Sequence, residues 1–112
     1  MKVHIYQIDL RQESNIRLCF MPYDEFIQKC GGHFPAACYE HVYSMDFPAE
    51  DPEAVYVLLN LHHPAEYNAR SFSVSDIVEF ERDDGSRIFY YCDSIGFKSI
   101  SFDRDAVHNQ TP

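Results

Sequence analysis

The chain has no tryptophan, only four glycines in 112 residues, and half as many bases as acids, nine Lys and Arg against eighteen Asp and Glu. No apolar run approaches the roughly 20 residues that a membrane-spanning helix needs. The opening Met1-Lys2-Val3-His4-Ile5-Tyr6 lacks the apolar core of a secretory signal. These absences lead us to expect a cytoplasmic protein that does not engage a membrane. A formal charge of −9 repels phosphates at long range, which disfavours direct nucleic-acid binding and favours partners with basic surfaces. There is no P-loop, dinucleotide fingerprint, EF-hand spacing, internal repeat or low-complexity segment. Without a secretory signal, Cys19, Cys30, Cys38 and Cys92 are expected as reduced thiols, Cys19 and Cys92 as small buried hydrophobes in apolar runs.

What is present suffices for one core: 46% of residues are hydrophobic and 15% aromatic. The expected class is α+β, a small single domain over residues 1–104 with an antiparallel sheet, a C-terminal β-hairpin and two short helices, followed by a polar tail over 105–112. Lys2 to Asp9 alternates as a strand does, and Ile16 to Met21 reads as a second strand able to pair with it. Pro22, Asp24 and Glu25 suit a helix start, and Gly31-Gly32 stops it. His33 to Phe47 has no clean period and reads as extended or irregular. Asp51-Pro52-Glu53 opens a second helix whose apolar residues are Ala54, Val55, Leu58, Leu59 and Leu61. Ile77 to Arg82 and Arg87 to Cys92 flank Asp83-Asp84-Gly85-Ser86, a hairpin signal, and a further extended run covers Phe97 to Phe102. Glu79 and Glu81 fall on what alternation makes the exposed side of that hairpin.

The sharpest ligand spacing is Cys30-x2-His33-x4-Cys38-x2-His41, two thiolates and two imidazoles able to close a tetrahedral zinc site. Its order matches no standard finger, and the bland alternative buries Cys38 and leaves His33 and His41 on the surface. His62, His63 and Glu66 form a weaker cluster, better read as a helix C-cap. No Ser-His-acid order is apparent along the chain, and no cofactor is expected unless zinc binds.

Arg70-Ser71-Phe72-Ser73-Val74-Ser75-Asp76-Ile77-Val78, with Phe89-Tyr90-Tyr91-Cys92-Asp93-Ser94-Ile95-Gly96-Phe97-Lys98 after the hairpin, resembles the pattern of the YodL-like family. Val3-His4-Ile5-Tyr6-Gln7-Ile8, Phe20-Met21-Pro22-Tyr23, Val42-Tyr43-Ser44 and Asn60 to Tyr67 resemble its usual order, so the likeness spans residues 2 to 102. The resemblance implies no established activity. It implies a setting in Gram-positive bacteria and their mobile elements, where small acidic proteins often antagonise host machinery. From the residues themselves, Arg70, Ser73, Ser75, Asp76, Asp93, Ser94, Gly96 and Phe97 read as scaffold. Ser75-Asp76 turns the chain, Gly96 takes a conformation closed to other residues, and Arg70 pairs with Asp76 or Asp93.

Eight tyrosines exceed what a core this size needs, so some are expected at an interface beside acids. The functional expectation is a non-enzymatic, acidic interaction module that binds and inhibits a host protein, a nucleic-acid-handling defence enzyme of the kind that anti-CRISPR or anti-restriction proteins target. Asp46, Phe47, Glu50, Asp51 and Glu53 are the expected contact patch. The alternatives are an inert scaffold domain and a small zinc-binding protein.

Overall fold

Residues 1–107 are described by a computed structural model. Five strands form one antiparallel sheet: β1 (Lys2–Ile8), β2 (Tyr39–Asp46), β3 (Ile77–Glu81), β4 (Arg87–Cys92) and β5 (Phe97–Ile100), in the spatial order β2-β1-β3-β4-β5. Helices α1 (Tyr23–Lys29) and α2 (Pro52–Leu61) join short 3-10 turns at Glu13–Leu18, Ala36–Cys38 and Arg104–Ala106.

Strand β1 lies inside the sheet, and its alternation divides the core. Val3 and Ile5 join Val78, Phe80 and Cys92 against Val55 and Leu59 of α2, with Tyr67 and Phe72 beside them. Tyr6 and Ile8 join Ile77, Phe89 and Tyr91 against Phe26 of α1, with Tyr39 and Phe102. Towards the end holding His4 and Glu81 the α1 face stays partly open, Glu81 keeping 35% of its side-chain surface, but both faces are packed over the middle of the sheet. Glu79, expected on an exposed face, is fully buried for this reason.

A further expectation is corrected, and another is sharpened. Ile16 to Met21 is no strand: Glu13–Leu18 is a 3-10 helix, and β1 pairs instead with β2 and β3. Serine and asparagine at 14 and 15 favour local turns, and the buried Asn15 donates its amide to the Asp9 carbonyl at 2.9 Å. The segment His33 to Phe47, expected as extended or irregular, contains both: a 3-10 turn at Ala36–Cys38 and the strand β2. Its period is broken by a bulge: Ile5 faces Tyr43 while the next residue, Tyr6, faces His41, leaving Val42 as an extra residue. The C-terminal part is a three-strand meander, because β5 adds to the β3-β4 pair. Both helices lie where they were expected, and Asp51 caps α2 by accepting from the Ala54 N–H at 3.1 Å. Of the expected tail, residues 105–107 belong to the folded body, since Val107 is buried in the core. His108 to Pro112 lie outside the described residues. No described helix is long and apolar enough to cross a membrane.

Candidate functional site

The acids chosen from sequence divide into two kinds. Glu50 is committed internally, with Arg82 donating to its two oxygens at 2.7 and 3.0 Å and Tyr90 close by at 3.3 Å. This holds its carboxyl below the usual range, the Arg82 hydrogen bond being the largest cause. Asp51 is spent as the α2 cap. Glu53 and Asp46 stay solvent-exposed, Asp46 within 3.4 Å of Lys2. Phe47 is half-buried against the α2-side core.

Continuing from Glu53 along α2 lies a surface that the core pattern of the helix concealed, whereas Asp46, opposite Lys2, falls on the α1 side of the sheet. Tyr56, Val57 and Leu61 stand on the side of α2 away from Val55 and Leu59, and they are 40%, 47% and 71% exposed. With Glu53 they occupy positions i, i+3, i+4 and i+8, one face of a helix. Tyr56 also contacts Phe72 and Phe97 edge-on. The expectation of several exposed tyrosines reduces to Tyr56; Tyr6, Tyr39, Tyr67 and Tyr91 are core, and Tyr23, Tyr43 and Tyr90 are half-buried.

The Cys/His set does not converge. His33 is exposed, Cys30 and Cys38 pack half-buried against the α1-side core, and His41 turns to Ser44 and His4. Burial pushes the Cys30 and Cys38 thiols up, which disfavours the thiolates zinc would need. His62 and His63 are exposed at the end of α2, where the His62 backbone N–H closes the helix on the Leu58 carbonyl.

The motif residues form the joint at one end of the sheet. Asp76, 3% exposed, accepts from the Ser73 N–H at 2.8 Å and the Gln7 amide at 3.0 Å. Burial pushes its carboxyl up to about 7 despite those bonds and the nearby Arg70. Arg70 donates to the Ile8 carbonyl at 3.1 Å rather than pairing closely with Asp76 or Asp93. Among the described residues, Ser75 and Phe20 are the non-glycine residues in the left-handed region, and they are hydrogen-bonded, Phe20 N–H to Ser75 Oγ at 3.1 Å. Asp93 caps α1 from outside, accepting from the Tyr23 N–H at 3.0 Å, and Gly96, at φ 70°, closes the turn into β5 at Phe97. Ser94 continues that turn, its N–H donating to Asp93.

A polar cluster absent from the sequence-based candidates lies on the α1 face. Glu79 accepts from the Tyr6 hydroxyl at 2.6 Å, binds Arg87, and has Arg104 Nε at 3.5 Å. Glu81 accepts from His4 Nε2 at 2.9 Å, with Arg87 at 3.4 Å. Ser44 Oγ lies 2.7 Å from both His4 Nδ1 and His41 Nε2. Among the described residues, His4, Glu79 and Glu81 are the ligating groups close enough to share a metal ion. Two guanidiniums already balance the two carboxylates, so this site has no negative charge left to attract a cation.

A family model described as YodL-like domain matches residues 2–102. No curated protein and no solved structure matches the chain.

Proposed function

Since the chain belongs to the YodL-like family, whose domain residues 2–102 fill, we propose that this whole domain acts as a protein-binding module, with the outer face of α2 and the acids before it as its contact surface. The observation that carries this reading is the Tyr56, Val57, Leu61 stripe, exposed beside Glu53 in a chain of charge −9. An apolar centre with an acidic edge suits a partner that is basic and partly apolar. Nucleic-acid-handling enzymes present such grooves, and a host defence enzyme is the partner to test first, the outcome of binding being its inhibition. Binding through this face requires no chemistry from the domain.

The structure also alters which charges are worth reversing. Changing Glu50 or Asp51 would disturb the fold, so loss of binding there would be uninformative. Leu61→Glu and Glu53→Lys test the α2 face alone, since Asp46 stands with Lys2 on the other side of the sheet. Leu61→Glu is expected to weaken binding and inhibition of a purified basic nuclease by about 30-fold or more, the scale of a buried apolar anchor. Glu53→Lys should weaken it more at low salt than at high salt. Affinity unchanged in both variants would remove this surface from the account and favour the inert scaffold reading.

The reading asks for no metal. Zinc up to a few equivalents, and then EDTA, should leave the melting temperature unchanged. A rise with zinc that chelator reverses would restore the zinc-binding alternative through Cys30, His33, Cys38 and His41.

A further inference from the structure

The cluster on the α1 face is built by an irregularity. Positions 41 and 44 are an odd number apart and in a regular strand would face opposite sides of the sheet. The bulge at Val42 sets His41 opposite Tyr6 and Ser44 opposite His4, so all four lie on one face. Ser44 is exposed, while His4 beside it keeps 13% of its side-chain surface.

Glu81 fixes the orientation of His4 within this group. The His4 hydrogen bond, with Arg87 nearby, holds the Glu81 carboxyl below its usual range, so the carboxylate accepts from His4 Nε2–H. With Nε2 carrying the proton, Nδ1 of neutral His4 presents a lone pair to the Ser44 hydroxyl at 2.7 Å. Burial and the neighbouring His4 lower the His41 pKa, and its Nε2 is the second ring nitrogen within 2.7 Å of Ser44 Oγ. A nucleophile bonded to a base, with that base held by a third group, is the geometry of nucleophilic catalysis.

We propose that Ser44, His4 and Glu81 form a nucleophile, base and carboxylate relay that cleaves small, uncharged carboxylic esters through an acyl-Ser44 intermediate. Ser44 Oγ attacks the ester carbonyl while its proton passes to His4 Nδ1. The tetrahedral adduct collapses, breaking the bond to the alkoxide, which leaves as the alcohol with the proton from His4. Water then attacks acyl-Ser44, gives its proton to His4, and the acid departs as Ser44 recovers that proton. Glu81 balances the transient imidazolium, the role a carboxylate fills in such relays. Glu79 is a positioning residue: it holds Arg87 and Tyr6 beside the relay and cancels guanidinium charge, leaving the site neutral overall. That neutrality is why the substrate is an uncharged ester, and the open setting of Ser44 on the edge strand admits small or surface-presented acyl groups.

The test uses the full chain with a fluorophosphonate probe and p-nitrophenyl acetate. One equivalent of probe is expected on Ser44 by peptide mapping, absent in Ser44→Ala. Labelling should slow about 100-fold in His4→Gln, the scale of a lost general base, and less in His41→Gln. A fourth variant, Ser44→Cys, should react with iodoacetamide faster than the native thiols, all four of which burial raises. With native circular dichroism throughout, label elsewhere than Ser44, equal labelling in wild type and His4→Gln, or a Ser44→Cys thiol no faster than Cys30 would each overturn the proposal. The outcome is independent of the partner binding proposed for the α2 face, which Leu61→Glu tests.

Discussion

Replacing Glu79 by alanine is expected to destabilise the protein by about 3 to 5 kcal/mol, the cost of breaking a buried ion pair by removing one partner. Glu79 is fully buried and is reached by the Tyr6 hydroxyl, Arg87 and Arg104. Its removal leaves a buried hydroxyl without its acceptor and brings two guanidiniums together without the charge between them. Both arginine side chains keep 30 to 39% of their surface, which lets water recover part of the loss and places the expectation toward the lower figure. Glu79→Gln retains an acceptor for Tyr6 and should cost less, about 1 to 2 kcal/mol. Urea melts at pH 7 of the three proteins decide the matter. A loss below about 1 kcal/mol in Glu79→Ala would show that the cluster does not hold the α1 face together.

The elements most legible in the sequence were those whose signals are local. Asp51-Pro52 opens α2 because a cap needs one side chain and the next three residues. The β3 and β4 strands with Gly85 between them follow from alternation and one residue at positive φ, 89°. What could not be read was pairing at a distance. One strand partner of β1, β2, is more than thirty residues away, and its alternation is interrupted at Val42, so a period-2 pattern cannot reveal it. Ile16 to Leu18 has strand-like side chains, yet the turn preferences of Ser14 and Asn15 prevail and make it part of a 3-10 helix.

The same division applies to the sites. The exposed stripe of α2 was hidden because Leu61 fits the helix's core period as well as its outer face. Only packing against β1 and β3 chooses Val55 and Leu59 for the inside. The cluster of His4, Ser44, Glu79 and Glu81 draws on three strands, and no spacing rule connects residues 4, 44 and 81. One signal was present: Glu79 between Val78 and Phe80 of an inner strand has no solvent face to occupy, so its burial follows once both faces are known to be covered. Arg70, Ser73, Ser75, Asp76, Asp93 and Gly96, read as scaffold from sequence, lie at the joint where β1, β3, β4 and α1 meet.

That joint gives the second large effect, through Asp76. With its native pKa at about 7 and an unfolded value near 4, the folded state holds a proton that the unfolded state has lost across the interval between. The unfolded state then binds fewer protons, so this group's contribution is fully present below about pH 4, falls as pH rises, and levels above about 7. The full loss is on the order of 4 kcal/mol, set by about 1.4 kcal/mol for each pH unit of that interval. Glu50, Glu81 and Asp84 have depressed values and act in the opposite sense at lower pH, so the wild-type curve alone does not isolate Asp76. Asp76→Asn does. Its amide oxygen can accept from Ser73 and Gln7 as the carboxyl does, and it cannot ionise. The variant should match wild type near pH 4 and exceed it by several kcal/mol at pH 8 in parallel urea titrations. A stability difference that stays constant between those two pH values would mean that Asp76 ionises in its pocket without cost. The carboxylate would then be compensated by Arg70, and the joint would be an ion pair rather than a buried acid held by Gln7 and Ser73.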